Sequence, residues 1–230
     1  MALSMDRENR SSQPRPYLLA AVVLAATIFV GFARNYYLRT WLATRVLSMT
    51  AYVHGMIMTC WVLLFLTQAL LVSKQRVDIH RRMGAAGGAL AILVVAFGLY
   101  TIHADVERQY PGAGPKLQTE VFVAFDGVSL LLFGGLIAAA LIARRQPQIH
   151  RRLMLMAMIS LLPPAFGRLV AYFTHQNVEA YVLGLMIAST LAAALIDAGH
   201  HRRLHSAFLF GGAAVITANV LTYIAQVDNP

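Results

Sequence analysis

Three segments of the chain share the tripeptide His-Arg-Arg. Residues 77–83 read VDIHRRM, residues 147–153 read PQIHRRL, and residues 201–204 read HRRL. Each copy follows one long apolar run and precedes another. A short basic segment between two apolar runs is typical of a helical hairpin that turns at a membrane surface. The repeat therefore predicts three hairpins whose turns, and whose histidines, lie at one membrane face.

The overall composition also indicates a membrane protein. The 230 residues are 58% hydrophobic and only 13% charged, with a mean hydropathy of +0.61, whereas soluble domains carry about 25% charged residues. A net charge of +9 would suggest a nucleic-acid partner in a soluble protein. Here the basic residues cluster at the ends of apolar runs, so the lipid bilayer is the expected partner and nucleic acid is not. The single cysteine, Cys60, excludes a disulfide within the chain.

Seven apolar stretches are long enough to cross a hydrocarbon core of about 30 Å as helices. The predicted fold is all-α, a polytopic membrane protein with one leading helix followed by three hairpins. Residues 1–16 are predicted to form a polar cytoplasmic N-terminus, and residues 17–230 a single transmembrane domain. Pro163 and Pro164 predict a kink midway along the fifth span. The predicted spans are 17–33, 51–72, 83–103, 121–142, 153–172, 180–196 and 207–225.

The distribution of basic residues predicts the orientation. Of the 19 Lys and Arg residues, thirteen lie outside the spans on the side of the N-terminus and the His-Arg-Arg turns, and five lie on the other side. The last one, Arg168, lies within the fifth span. Because Lys and Arg are enriched on the cytoplasmic side, we expect a bacterial inner-membrane protein with its N-terminus inside and its C-terminus outside.

Five ionisable side chains fall at similar depth, towards the end of the spans away from the His-Arg-Arg turns: His54, His103, Asp126, Arg168 and His175. Such groups are costly in a membrane unless they have partners, so Asp126 and Arg168 are predicted to form an ion pair. Two histidines on facing helices can ligate a haem iron. His54 with His103 or with His175 is therefore a candidate ligand pair for haem b.

The turn histidines form a second candidate layer. His80, His150 and His201 could also ligate haem, with the neighbouring arginines pairing with its propionates. Alternatively, the basic turns only anchor the hairpins at anionic headgroups.

Zinc is a further alternative. His201 and His205 are four residues apart, which predicts one helical face at the start of the last span and is a metal-ligand spacing. His80 or His150 would supply a third ligand, and Asp78 or Asp197 a base. This pattern resembles the seven-helix membrane hydrolases that include adiponectin receptors and alkaline ceramidases, which carry HxxxH at the same end of their last helix. The Ser/His signature of their second helix is absent here, where residues 73–76 read SKQR.

A second resemblance comes from the hairpins themselves. His54, Trp61 and Gln68 with the segment HRRMG at 80–84 look like the HRRLG hairpin of uncharacterised bacterial multi-pass proteins. The segment QIHRRLMLMA at 148–157 is similar to the HRRLM segment of small membrane proteins tied to cytochrome oxidase assembly. The pattern, over residues 50–170, also resembles the haem helices of cytochrome b561-like and ferric-reductase-like proteins. The resemblance implies respiratory redox proteins, with respiratory-complex subunits or quinone as partners.

The predicted function is a haem- or metal-associated role in respiratory electron transfer or oxidase biogenesis. A non-catalytic membrane subunit or assembly factor without a cofactor is the first alternative, and an intramembrane zinc hydrolase is the second.

The predicted orientation can be tested with a reporter fused after Pro230 that is active only when exported. Seven spans and a cytoplasmic N-terminus require the reporter to be active, because an odd number of crossings places the two ends on opposite sides. The same reporter fused after Arg145, in a His-Arg-Arg turn, should be inactive. Activity at Arg145 together with inactivity at Pro230 would show that the orientation is the opposite of the predicted one.

Overall fold

The computed structural model describes residues 15–42, 44, 46–109 and 117–227. Residues 1–14, most of the predicted polar N-terminus, lie outside the described residues. Within the described ranges the chain is helical and contains no strand, which confirms the all-α prediction. A short π-helical segment, Ala33–Tyr37, follows the first helix, and a 3-10 segment, Ala143–Arg145, follows the fourth. The α-helices are α1 (Arg15–Phe32), α2 (Met49–Ser73), α3 (Val77–Gln109), α4 (Leu117–Ile142), α5 (Pro147–Ser160), α6 (Pro163–Ala171), α7 (Val178–His201) and α8 (Ser206–Val227).

Six spans are long and apolar enough to cross a membrane singly, and the bent pair of α5 and α6 gives a seventh if it crosses as one broken span. The axes of α5 and α6 differ by 41°. The break lies where expected, because Pro163 and Pro164 lack the N–H groups that would continue the backbone ladder of α5. The N–H of Leu162 instead bonds to the Ile159 carbonyl at 3.0 Å, which closes α5 with a tight turn. The leading helix and three hairpins are thus present.

Helix α5 forms the centre of the bundle. It contacts α1, α4, α7 and α8, and residues 155–160 are all buried. Six consecutive buried residues cover the full circumference of a helix with 3.6 residues per turn, so this part of α5 is enclosed by other helices. Trp61 of α2 reaches this core, where its indole N–H donates to the sulfur of Met158 at 3.1 Å and its ring packs edge-on against Phe133. The central helix therefore lies within a shell formed by the other hairpins.

The three His-Arg-Arg copies occupy two different structural positions. His80 and His150 lie in the first turns of α3 and α5, whereas His201 is the last residue of α7. Arg202 has φ of 52°, a left-handed conformation that ends the helix. The prediction that His201 and His205 lie one turn apart on one helical face is therefore wrong, because the chain leaves the helix between them.

Candidate functional site

The turn end of the bundle, which carries His80, His150 and His201, contains a buried ion pair. Arg152 is 1% exposed and Asp197 is 5% exposed. Arg152 Nε donates to Asp197 Oδ2 at 2.8 Å, and Arg152 Nη2 donates to Asp197 Oδ1 at 3.0 Å. This two-pronged arrangement is the strongest geometry available to an arginine and a carboxylate. It ties the central helix α5 to α7.

Further hydrogen bonds surround this pair. Arg152 Nη1 donates to the carbonyl oxygen of Gln148 at 2.6 Å and to its side-chain oxygen at 2.8 Å. The Tyr17 hydroxyl, on α1, donates to Asp197 Oδ1. A buried ion pair offsets its desolvation only when such extra bonds satisfy the remaining polar atoms. The Arg152–Asp197 pair with Tyr17 thus joins α1, α5 and α7.

Sequence reasoning missed this pair because it assigned Arg152 to the membrane surface with the other turn arginines. The arginines of the other two copies are exposed: Arg81 and Arg82 in the first copy, and Arg202 and Arg203 in the third. The sequence did contain one indication of a buried pair. Asp197 lies at the turn-side end of an apolar stretch that contains no basic residue, so its partner had to come from another helix.

His201 is engaged by the same network. Arg151 Nη2 lies 2.8 Å from His201 Nε2, and the Arg151 guanidinium stacks on the Tyr17 ring at 4.6 Å. Because arginine can only donate, His201 Nε2 is the acceptor and the ring proton lies on Nδ1. His201 Nδ1 is 2.9 Å from the Asp197 carbonyl oxygen, to which it donates. Both ring nitrogens of His201 are therefore occupied.

His205, the other predicted zinc ligand, caps the next helix. Its Nδ1 accepts from the backbone N–H of Ala207 at 3.1 Å. Burial, with Arg152 nearby, lowers the pKa of His205 below its usual value, so the neutral ring that can accept this bond is favoured at pH 7. In the part of the chain that the structure describes, no three His, Cys, Asp or Glu side chains converge closely enough to hold a metal ion.

The structure does bring two of the predicted histidines together. The rings of His80 and His150 have centroids 6.3 Å apart and planes at 77°. His150 Nδ1 lies 2.8 Å from the carbonyl oxygen of Ala140, and donating to it leaves His150 Nε2 with a free lone pair. His80 Nδ1 is buried and has no hydrogen-bond partner, and the same holds for both polar side-chain atoms of Gln68, which lies on α2 beside α3. His80 and His150 are here called the His80–His150 pair.

The histidines at the opposite end of the bundle are more scattered. His54 Nδ1 is buried without a partner, and His54 lies within electrostatic range of Asp105 and Arg168. His103 is exposed near the end of α3, and His175 is exposed in the connection between α6 and α7. No aromatic contact joins any two of these three histidines among the described residues. Their proposed role as haem ligands stays a prediction.

Asp126 and Arg168 line one cavity of about 360 Å³ beside the break between α5 and α6, and they lie within electrostatic range of each other. The close contacts of Arg168 are to other groups. Its Nη1 donates to the Pro164 carbonyl at 2.7 Å, and its guanidinium stacks over the Phe32 ring at 4.3 Å. The predicted ion pair therefore stays a prediction, tested below.

No protein-family model, no curated protein and no solved structure matches the chain. The family resemblances of the hairpins accordingly rest on their short motifs alone. Composition and helix lengths establish a multi-pass helical membrane protein.

Removing one member of the Arg152–Asp197 pair should strongly destabilise the protein. Arg152→Ala and Asp197→Ala should each lower the free energy of unfolding by about 3 kcal/mol or more, because each strands a buried charge. The double variant should cost less than the sum of the two by about 1 kcal/mol or more. Reversible unfolding in mixed detergent micelles measures all three. Arg82→Ala, at the same position of the first repeat but exposed, should change stability by less than about 0.5 kcal/mol. Additive single effects would contradict the pairing.

The same cycle tests the predicted Asp126–Arg168 pair. If the two charges satisfy each other, Arg168→Ala destabilises more than Arg168→Ala combined with Asp126→Ala, since the double variant leaves no lone charge. Glu179 lines the same cavity and provides the matched control. Combining Glu179→Ala with Arg168→Ala should bring no such recovery. If the Asp126 double variant is the less stable one, the two side chains are not partners.

Proposed function

We propose that the chain is a haem-b-binding membrane protein that serves respiratory electron transfer or oxidase biogenesis, with His80 and His150 as the haem ligands. The observation that carries this proposal is the His80–His150 pair at the turn end. It replaces the pairs at the opposite end that the sequence favoured. We further propose a bacterial inner membrane, with the basic turn end on the cytoplasmic side.

The number of available ligands favours haem over zinc. A zinc site needs at least three protein ligands, whereas the porphyrin of a haem leaves only axial positions for the protein to fill. The described residues supply two adjacent imidazoles and no group of three ligands. The rings of His80 and His150 have centroids 6.3 Å apart, so these two side chains could hold one haem.

The surroundings of the pair also fit a ligand. The bond from His150 Nδ1 to the Ala140 carbonyl is the usual second interaction of a metal-bound histidine, because it fixes the ring and its tautomer. The buried, unpartnered Nδ1 of His80 is costly unless something else satisfies it. Exposed arginines at the turn end, among them Arg81 and Arg82, are available for propionates. A haem held there would supply one-electron transfer.

A non-catalytic membrane subunit or assembly factor is the second candidate. The observation that favours it is the Arg152–Asp197 pair with Tyr17, which fixes three helices at the turn end without any cofactor. Helices that are already fixed to one another present a preformed surface to a protein partner.

Visible spectroscopy of the purified protein, with haem and metal analysis on the same sample, tests the proposal. Ligation by two imidazoles should give a low-spin spectrum with a sharp α band on reduction. His80→Ala and His150→Ala should each abolish or shift that band, because each removes an axial ligand. His103→Ala is the matched control, since this exposed histidine should leave the band unchanged.

Two outcomes would contradict the proposal. Loss of the band in His54→Ala but not in His80→Ala or His150→Ala would place the haem at the opposite end. A colourless, stable preparation without haem would refute haem binding and leave the cofactor-free subunit as the surviving candidate. About one zinc per chain in that preparation would instead support the hydrolase alternative.

A further inference from the structure

Arg168 stands between two cavities at the end of the bundle opposite the His-Arg-Arg turns. One is the cavity of about 360 Å³ shared with Asp126 and Glu179. The other has a volume of about 440 Å³ and is here called the cationic cavity. Among the residues that line the cationic cavity are Arg34, Asn35, Thr44, Arg168 and Tyr172.

The two cavities differ in charge. Among the described residues that line the cationic cavity, two are arginines and none carries a carboxylate. The acidic residues Asp126 and Glu179 lie on the other side of Arg168. Two guanidinium groups at one cavity attract an anion, and Asp126, the carboxylate within electrostatic range of Arg168, lines the other cavity. The cationic cavity is therefore complementary to an anion.

Arg168 is held in a fixed position in the wall of this cavity. The Pro164 carbonyl accepts a bond from its Nη1, and the Phe32 ring covers one face of the guanidinium. A guanidinium has five N–H donors, and the bond to Pro164 uses one of them. A planar, pre-positioned fork of donors suits two-pronged binding of an oxyanion.

Arg34, which also lines the cationic cavity, lies in the π-helical segment that follows α1. Its guanidinium lies 6.0 Å from the centroid of the Tyr172 ring. The candidate span that contains α1 runs to Tyr37, so Arg34 lies within one helical turn of its end, close to the level of lipid headgroups. The cavity volume is about fifteen times the ~30 Å³ share of a water molecule, so a phosphate with an attached group fits.

We propose that the cationic cavity binds a phosphate-type oxyanion between Arg34 and Arg168. The anion is either free phosphate or the phosphate of a lipid headgroup, which present the same oxygens to the two guanidinium groups. This site is independent of the proposed haem, because it lies at the other end of the bundle and involves neither His80 nor His150.

Binding is measured on the full-length protein in a neutral detergent with three probes. Inorganic phosphate is titrated calorimetrically, and phosphatidylglycerol and diacylglycerol of the same chain length are followed by native mass spectrometry. Diacylglycerol lacks the phosphate and should not bind at one molecule per chain. Saturable binding of phosphatidylglycerol identifies a lipid headgroup as the source, and binding of inorganic phosphate alone identifies a free anion.

The variants decide whether the site is the cationic cavity. Arg34→Gln and Arg168→Gln should each weaken binding roughly tenfold or more, because each removes a charge-assisted hydrogen bond. Arg39→Gln changes the same charge in the same connection, outside the lining of the cavity, and should alter binding by less than about twofold. Arg34 is exposed, so Arg34→Gln remains decisive if Arg168→Gln does not fold. Failure of both phosphate probes to bind, or binding that Arg34→Gln leaves unchanged, overturns the proposal.

Discussion

The buried pair of Arg152 and Asp197 constrains the whole turn end of the bundle. Neither charge can remain alone inside a helical membrane protein, because lipid provides no hydrogen bonds to replace water. The central helix must therefore place Arg152 against α7, and the hydroxyl of Tyr17 on α1 donates a further hydrogen bond to the Asp197 carboxylate. Once α1, α5 and α7 are fixed, the contacts of Arg151 follow. Its guanidinium stacks on the ring of the same Tyr17 and donates to His201.

The opposite end is organised by a backbone defect. The two prolines end the ladder of α5 and turn the axis by 41°, and the helix that follows carries Arg168 four residues beyond Pro164. Its Nη1 reaches back to the Pro164 carbonyl, so the residue that breaks the span also positions the guanidinium. Irregular backbone at membrane depth is tolerated where it lines a cavity, and both described cavities lie beside Arg168.

The sequence predicted the fold well because hydrophobic length and hairpin turns are local properties. The long apolar helices, their hairpin order and the break at Pro163 could all be read from runs of apolar residues and from proline chemistry. The partners of polar residues could not. Depth along each helix is readable, and it correctly placed Asp126 and Arg168 at the same end. The rotation of each helix about its axis cannot be read in this way, because packing against other helices sets it. This rotation is what brings Arg152 into contact with Asp197.

The same limit explains why three identical tripeptides perform different tasks. In the first copy the tripeptide starts α3, where Arg81 and Arg82 are exposed and can use water or headgroups as partners. In the second copy it starts the central helix α5, where successive side chains point about 100° apart into protein on several sides. His150 then meets His80, Arg151 meets His201, and Arg152 meets Asp197. In the third copy the left-handed Arg202 ends the helix, so that only His201 points back into the bundle. A repeated motif thus fixes where each turn lies, while the burial of the helix that bears it fixes what each side chain does.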